Sequence, residues 1–195
     1  MPIEAILALV GFALATSITP GPNNLMLVAS GANFGYRRSL PHMLGISLGH
    51  MFMIVLVGMG LIGLFELFPV LHTVMKVLSI SYLLYLAWKT ANAAPPSEGA
   101  AAGSPLTFLQ AAAFQWVNPK AWFMALTAIT VYAPERTLPT VVLVAVIFSC
   151  SNFPSINLWT LTGVQLRRWL TSPTRLRNFN WTMAALLVAS LALIL

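Results

Sequence analysis

Five long segments without a charged residue constrain the fold of this chain more than any other feature. They cover residues 5–36, 39–65, 99–119, 137–166 and 178–195. A stretch of ~20 apolar residues is enough to cross the hydrocarbon core of a bilayer as a helix. Only 7% of the residues are charged, against about 25% in ordinary soluble domains. The sequence therefore excludes a water-soluble monomer and predicts a polytopic membrane protein.

Proline, glycine and charged residues divide the chain into six predicted membrane helices. Their ranges are about 3–30, 41–64, 70–90, 106–131, 138–163 and 179–195. The stretch 92–105 is rich in Ala, Pro, Gly and Ser and predicts a linker within a single transmembrane domain, 1–195. It separates a first half, about 1–92, from a second half, about 106–195. Because each half holds three spans, the predicted fold is all-α, with six helices in two inverted three-helix halves.

Lys and Arg are distributed unevenly between the two sides of this predicted arrangement. The loops after spans one, three and five carry Arg37, Arg38, Lys89, Arg167, Arg168, Arg175 and Arg177. The opposite side carries only Lys76 and Arg136. Since basic loops remain in the cytoplasm, we predict that both termini lie on the periplasmic side. The leading segment contains Glu4 and no Lys or Arg, so we expect it to be the first span rather than a cleaved signal peptide.

The first predicted span is interrupted about two-thirds of the way along by the sequence Thr19-Pro20-Gly21-Pro22-Asn23-Asn24. Proline has no backbone N–H, so each proline leaves a carbonyl of the preceding turn without its helical partner. Irregular backbone within a membrane is tolerated only where it is buried in protein or lines a polar cavity. The sequence therefore predicts a discontinuous first helix.

The fourth predicted span repeats this arrangement in Gln115-Trp116-Val117-Asn118-Pro119-Lys120. Again a proline inside a hydrophobic run follows an asparagine. One break in the first helix of each half is typical of transporters whose inverted repeats enclose a midplane binding site. A pair of packing kinks is the alternative interpretation.

Lys120 is the only charged residue within its predicted span. Burying a lysine near the bilayer centre costs at least ~2.5–3.5 kcal/mol, so it normally faces a cavity or a partner. The carbonyls near residues 16–18 or a substrate anion would satisfy it, and a lysine that extends to the membrane surface is the alternative. The carboxylates Glu4, Glu66, Glu98 and Glu135 all fall at the ends of predicted spans or in loops. Coupling to protons would therefore use Lys120, His50 or the titration of the substrate itself.

The fifth predicted span is polar for a membrane helix and carries Asn152 and Asn157 on either side of Pro154. These groups would either line a substrate path or join helices by hydrogen bonds. Gly45 and Gly49 in the second span are typical of close helix packing. The chain has no G-x-x-x-x-G-K-[ST] loop for ATP, and its basic residues lie in predicted loops rather than on a nucleic-acid-binding face. We therefore predict a secondary transporter or facilitator that uses no cofactor or metal and binds no nucleic acid.

Four motifs resemble the lysine exporter and homoserine/threonine resistance family of bacterial amino-acid exporters. They are Pro20-Gly21-Pro22-Asn23, Gly45-Ile46-Ser47-Leu48-Gly49, Tyr85-Leu86-Ala87-Trp88-Lys89 and Gln115-Trp116-Val117-Asn118-Pro119-Lys120. The resemblance covers essentially the whole chain. Within the family, the Pro-Gly-Pro-Asn-Asn form, the Leu-Ala-Trp-Lys sequence, and Asn152 followed by Asn157 are most similar to the cysteine and O-acetylserine exporters. Pro119 departs from that narrower pattern, which has another residue there.

The resemblance implies proton-driven efflux of a small amino acid or a close derivative across the bacterial inner membrane. Together with the two breaks, it assigns the substrate site to Pro20, Gly21, Pro22, Asn23, Asn24, Gln115, Asn118, Pro119, Lys120, Asn152 and Asn157. The predicted partners are this substrate and the lipid bilayer, and the sequence is also compatible with a homodimer. Two other classes are the alternatives. An exporter of metal or inorganic ions needs clustered Asp, Cys or His in the spans, and a membrane-embedded enzyme needs a catalytic set of polar groups.

Overall fold

The computed structural model describes residues 1–61, 67–68, 70–93 and 104–193. Every regular element among them is helical, which confirms the all-α prediction. Seven α-helices are present in this part of the chain: α1 Ile3–Ile18, α2 Pro22–Leu56, α3 Val70–Ala91, α4 Phe108–Val117, α5 Pro119–Tyr132, α6 Leu138–Arg167 and α7 Pro173–Ala189. A π-helical turn, Val57–Leu61, extends α2, and a 3₁₀ turn, Ser190–Leu193, follows α7. Most of the predicted linker, and the predicted end of span two, lie outside the described residues.

Two segments in the described part of the chain are long and apolar enough to cross a membrane, namely Pro22–Leu61 and Leu138–Arg167. Helix α1 is also apolar but has only 16 residues. Large apolar side chains lie on the outside of the bundle, including Leu7, Phe52 and Trp88. Such a surface suits contact with lipid rather than water. The arrangement of six spans in two inverted halves stays a prediction.

The connection between the first two predicted spans is shorter than the sequence predicts, because residues 31–34 and 36–40 are helical. The single non-helical residue inside α2 is Gly35, with φ 77° and ψ 172°. The Ser30 and Ser39 hydroxyl oxygens are 2.7 Å apart, whereas nine residues of straight helix would separate them by about 13 Å along the axis. The chain therefore bends sharply back on itself at Gly35. We call residues 22–34 the first arm of α2 and residues 36–56 the second arm.

The last predicted span also has different bounds. Helix α7 begins at Pro173 rather than near residue 179, and α6 continues to Arg167 rather than ending near residue 163. The Ser172 hydroxyl accepts a hydrogen bond from the Arg175 N–H at 3.2 Å. A serine cap followed by proline in the first turn favours the start of a helix, even in a polar segment.

Close helix packing in this protein depends on glycine. A Cβ atom added to Gly31 would collide with the Thr160 carbonyl of α6, and one added to Gly163 would collide with the Val28 carbonyl of α2. The first arm of α2 and α6 therefore approach each other at backbone distance. On the second arm, a Cβ at Gly49 would lie 2.6 Å from the Ala112 Cα atom. The predicted packing role of the Gly-x-x-x-Gly pair is confirmed, with α4 as the partner helix.

Two buried apolar clusters lie along the molecule. One joins α1, the end of α2, α5 and α6, and includes Leu9, Met53, Ala125 and Phe148. The other joins both arms of α2 with α3, α4 and α7, and includes Met26, Met43, Leu83, Phe114 and Leu187. The polar residues of the two predicted helix breaks lie where these clusters meet.

Candidate functional site

The first helix break occupies residues 19–21, between the end of α1 and the start of α2. The Thr19 hydroxyl donates to the Thr16 carbonyl at 2.7 Å. The Asn24 side-chain amide donates to the carbonyls of Ser17, at 2.9 Å, and Thr19, at 2.7 Å. Polar side chains thus replace backbone N–H donors that the broken helix cannot supply.

The second break is a single residue, Asn118, between α4 and α5. Its N–H donates to the Gln115 carbonyl at 3.3 Å, and its side-chain oxygen accepts the Lys120 N–H at 3.2 Å. The Trp122 indole N–H donates to the Trp116 carbonyl at 2.8 Å. Here too, groups close to the break take over the hydrogen bonds of the interrupted helix, so Asn118 is held in extended geometry at the start of α5.

The two breaks contact each other through side chains. The amides of Asn23 and Gln115 exchange two hydrogen bonds, at 2.9 and 3.3 Å. The Lys120 ammonium donates to the carbonyl of Thr19 at 2.5 Å and to its hydroxyl at 2.8 Å. The partner of Lys120 is therefore a carbonyl of the first break, one residue beyond the range expected from the sequence. These contacts join segments about one hundred residues apart in the chain.

A narrow polar cavity, which we call the central cavity, lies at this junction. Eight predicted residues line it: Gly21, Asn23, Asn24, His50, Gln115, Asn118, Lys120 and Asn152. The lining also includes Ser17, Ile46, Met124 and Ile156. The cavity thus combines several amides with a single ammonium group and an apolar wall.

Helix ends add a fixed electrostatic pattern to the central cavity. The carbonyl end of α1 carries partial negative charge and meets the Lys120 ammonium. The N-terminal ends of α2 and α5 carry partial positive charge, and their first residues lie beside the same space. A ligand bearing both an anionic and a cationic group would find complementary partners here.

Two buried polar atoms at the central cavity have no hydrogen-bond partner. The His50 Nε2 atom lies 3.1 Å from the Ala121 carbonyl, which makes Nε2 the donor, while its Nδ1 atom is unpaired. The hydroxyl of Ser17 is unpaired as well. Buried polar groups are normally hydrogen-bonded, so unpaired ones that line a cavity mark places for a ligand or water.

Four predicted site residues do not line the central cavity. Pro20, Pro22 and Pro119 belong to the breaks and set the direction of the backbone there. Asn157 lies near the bend of α2, where it accepts a hydrogen bond from the Tyr36 hydroxyl at 2.5 Å. Asn152 and Asn157 are five residues apart, which places them about 140° apart around α6. They therefore cannot both face the same narrow cavity.

The lining residues that the sequence analysis missed lie one helical turn from predicted ones. Ile46 precedes His50 by four residues, Met124 follows Lys120 by four, and Ile156 follows Asn152 by four. Residues four apart share one face of a helix, so this spacing could have identified them. Ser17 lies in the last turn of α1, close to the first break, and this position could have identified it as a lining residue.

Together, the fold and the central cavity define a helical membrane protein built around a polar junction of two broken helices. A family model described as "LysE type translocator" matches residues 14–195. The chain therefore belongs to this family, and it is a transporter rather than an enzyme.

Relatives of known name match nearly the full length of the chain. The "Cysteine/O-acetylserine efflux protein" of Klebsiella pneumoniae is 31% identical over 185 residues, which cover 94% of this chain and 93% of that protein. The protein of the same name from Escherichia coli (strain K12) is 29% identical over 179 residues, which cover 91% of this chain and 90% of that protein. No solved structure matches the chain significantly.

Proposed function

We propose that this protein is a secondary active exporter of amino acids or close derivatives across the bacterial inner membrane. Two kinds of support converge on this function. The similar proteins named above are efflux proteins for cysteine and O-acetylserine. The central cavity offers partners of both signs, as a small zwitterionic amino acid requires. The observation that carries the proposal is the Lys120 ammonium at the carbonyl end of α1, beside the paired amides of Asn23 and Gln115.

In the proposed binding mode, the carboxylate and the ammonium of the substrate meet different parts of the central cavity. Lys120 and the N-terminal ends of α2 and α5 bind the carboxylate, because hydrogen bonds from a charged donor are strong in a space that excludes water. The carbonyl of Ser17 and its unpaired hydroxyl receive the ammonium group. The apolar side chains of Met124 and Ile156 contact the rest of the substrate.

Transport also requires that the site open to each side of the membrane in turn. In the proposed cycle, the half that contains Asn23 and the half that contains Gln115 rock against each other around the central cavity. The Asn23–Gln115 pair and the Lys120–Thr19 contact link these halves. Breaking such links and forming them again would accompany the change of access.

We further propose that Lys120 couples transport to protons, with His50 as the second candidate. A lysine in a partly dry cavity loses hydration of its charged form and can therefore release and rebind a proton within a cycle. Lys120 donates to carbonyl groups when the site is empty and to the substrate carboxylate when the site is occupied. Its hydrogen-bond partners therefore change during the cycle. His50 has a free Nδ1 atom in the same cavity, but its Nε2 atom is held by the Ala121 carbonyl.

An exporter of metal or inorganic cations on a similar framework is supported by no specific observation. The described residues include no group of three or more His, Cys, Asp or Glu side chains placed to hold a metal. A cation in the central cavity would also meet the Lys120 ammonium. In the proposal for an amino-acid substrate, the same ammonium group binds the carboxylate of the substrate.

The proposed function can be tested in cells that lack their own amino-acid exporters and are loaded with dipeptides. Expression of the protein should increase the appearance of one or more amino acids outside the cells, measured across a panel that includes cysteine and O-acetylserine. The Lys120→Met variant should reduce the increase, because the cavity loses its ammonium group. A matched control is Lys76→Met, since Lys76 lies exposed on α3 away from the cavity. Equal export by cells with and without the protein, for every amino acid, would contradict the proposal.

A further inference from the structure

A second and larger cavity lies below the central cavity along the two arms of α2. Asn23 and Asn24 of the first arm line the central cavity, whereas Met26, Ser30 and Asn33 of the same arm line the second one. On the second arm, His50 belongs to the central cavity and His42 to the second. Eight helical residues span about 12 Å, so the two cavities lie one above the other.

One basic residue lines this second cavity and two more lie near it, so we call it the basic-end cavity. Lys89 lines it directly. The Arg38 guanidinium lies 5.4 Å from the ring centre of Phe34, which also lines it. The Arg167 guanidinium lies within 3.3 Å of the position that a Cβ of Gly35 would take, at the adjacent bend. Clustered positive charge at a cleft of low dielectric attracts anionic groups.

His42 gives the basic-end cavity a polar group that the protein itself does not satisfy. It is 1% exposed, and neither ring nitrogen has a hydrogen-bond partner. A neutral imidazole has one donor and one acceptor, and leaving both unmade in a buried position is costly. The other walls are largely apolar, with side chains of Met26, Leu86 and Trp88. Apolar walls with a few convergent polar groups are typical of small-molecule sites.

We propose that the basic-end cavity is a second binding site for an amino acid. Lys89 binds the carboxylate of this amino acid, and the ring nitrogens of His42 form further hydrogen bonds with it. The apolar walls contact the side chain of the ligand. The inference rests on the proposed function and extends it, because it places a second substrate-binding site next to the central cavity, along the same two arms of α2. Binding in the basic-end cavity nevertheless needs neither transport nor Lys120.

Thiol protection tests this site directly, with O-acetylserine as the probe. The protein has one cysteine, Cys150, so a Cys150→Ser background allows a single new thiol to be placed. Thr90 lines the basic-end cavity, and among the described residues its hydroxyl donates to the Leu86 carbonyl of its own helix. In Thr90→Cys, saturating O-acetylserine should slow labelling by a maleimide at least about tenfold, as expected for an occupied site. Thr174→Cys, at an exposed position of α7, should label at an unchanged rate.

Further variants separate the two polar contacts from general effects. Adding Lys89→Gln or His42→Leu to Thr90→Cys should raise the O-acetylserine concentration needed for half-protection at least about tenfold, because a charge-assisted or buried hydrogen bond is lost. Lys76→Gln, on the same helix as Lys89, should leave it unchanged. The amide of O-acetylserine, which lacks the carboxylate, should not protect.

Three results would overturn the second site. They are absence of protection by O-acetylserine, equal protection by its amide, and protection that disappears when Asn118→Leu disables the central cavity. The last result would mean that the signal is relayed from the central cavity. Protection without export of any amino acid would instead leave the second site in place and contradict the proposed function.

Discussion

Asn23 and Gln115, which are 92 residues apart in the chain, exchange two side-chain hydrogen bonds across the two helix breaks. The Gln115 amide also donates to the Ala111 carbonyl at 2.8 Å, which fixes its orientation. A reciprocal amide pair of this kind requires both breaks to hold their geometry at once. It therefore connects the two polar interruptions into one site.

The first prediction concerns this amide pair and the capping amide of the second break. Asn23→Leu and Asn118→Leu should each abolish export while the protein still reaches the membrane, because leucine leaves buried polar groups of the breaks unpaired. Asn178→Leu is the matched control, since Asn178 is exposed on α7. Export is measured in loaded cells, with the amount of membrane protein determined in parallel. Near-normal export by both break variants would favour two packing kinks instead of a site.

A second prediction concerns Lys120 as the proposed proton carrier. In proteoliposomes, Lys120→Met should lose uphill transport driven by a pH gradient while retaining part of the downhill flux, because methionine keeps the volume and cannot bind a proton. Lys76→Met should behave as the unmodified protein. If Lys120→Met concentrates substrate against its gradient with full efficiency, the proton carrier is another group.

The third prediction tests the contact between Gly21 and Lys120. A Cβ atom at Gly21 would lie 2.9 Å from the Lys120 Cδ atom, so an added methyl group has to displace the lysine side chain. Gly21→Ala should therefore lower the transport rate about tenfold, as loss of a single charge-assisted hydrogen bond would. Gly11→Ala offers a matched control in α1, because nothing lies within 4 Å of its added Cβ. Equal rates for the two variants would show that Lys120 does not need its present position.

The close crossing of α2 and α6 gives a fourth prediction, on stability rather than transport. Gly163→Leu should lower the free energy of unfolding by at least ~1–3 kcal/mol, the usual cost of overpacking. The reason is that its side chain would collide with the Val28 carbonyl. The thermal midpoint in detergent is the measurement, again with Gly11→Ala as the control. An unchanged midpoint would mean that the helices separate at little cost.

The fifth prediction is that both termini face the periplasm, and it depends on the seven-to-two distribution of basic residues between the predicted loops. A reporter enzyme that is active only in the periplasm should be active when fused to the C-terminus. The same reporter inserted after Arg136, on the side with few basic residues, should be active too. Activity of a cytoplasm-only reporter at the C-terminus would contradict this orientation.

The sequence predicted the helix breaks well because their chemistry is local. Proline removes a backbone donor wherever it stands, and the Asn residues beside Pro22 and Pro119 provide the polar side chains that such a break needs. The same reasoning placed Lys120 near carbonyl groups of the first break. Most of the central cavity could therefore be identified from two short motifs.

Other features depend on geometry that composition does not encode. The apolar lining residues Ile46, Met124 and Ile156 look like any core residue until the direction of their helices is known. Asn157 was assigned to the site from its polarity and from the family resemblance, but its angular position on α6 directs it to Tyr36. The bend at Gly35 was missed for a related reason, since glycine permits a positive φ without requiring one.

That bend has a mechanical consequence. The backbone geometry of Gly35 is open almost only to glycine. A hydrogen bond between the Ser30 and Ser39 hydroxyl groups joins the two arms beside the bend. The Tyr36 hydroxyl donates to Asn157 and so links the bend to α6. Because the bend is held in this way, we expect the two arms, which carry walls of both cavities, to move together. A gate that opens either cavity would then be formed by the helices that face the two arms.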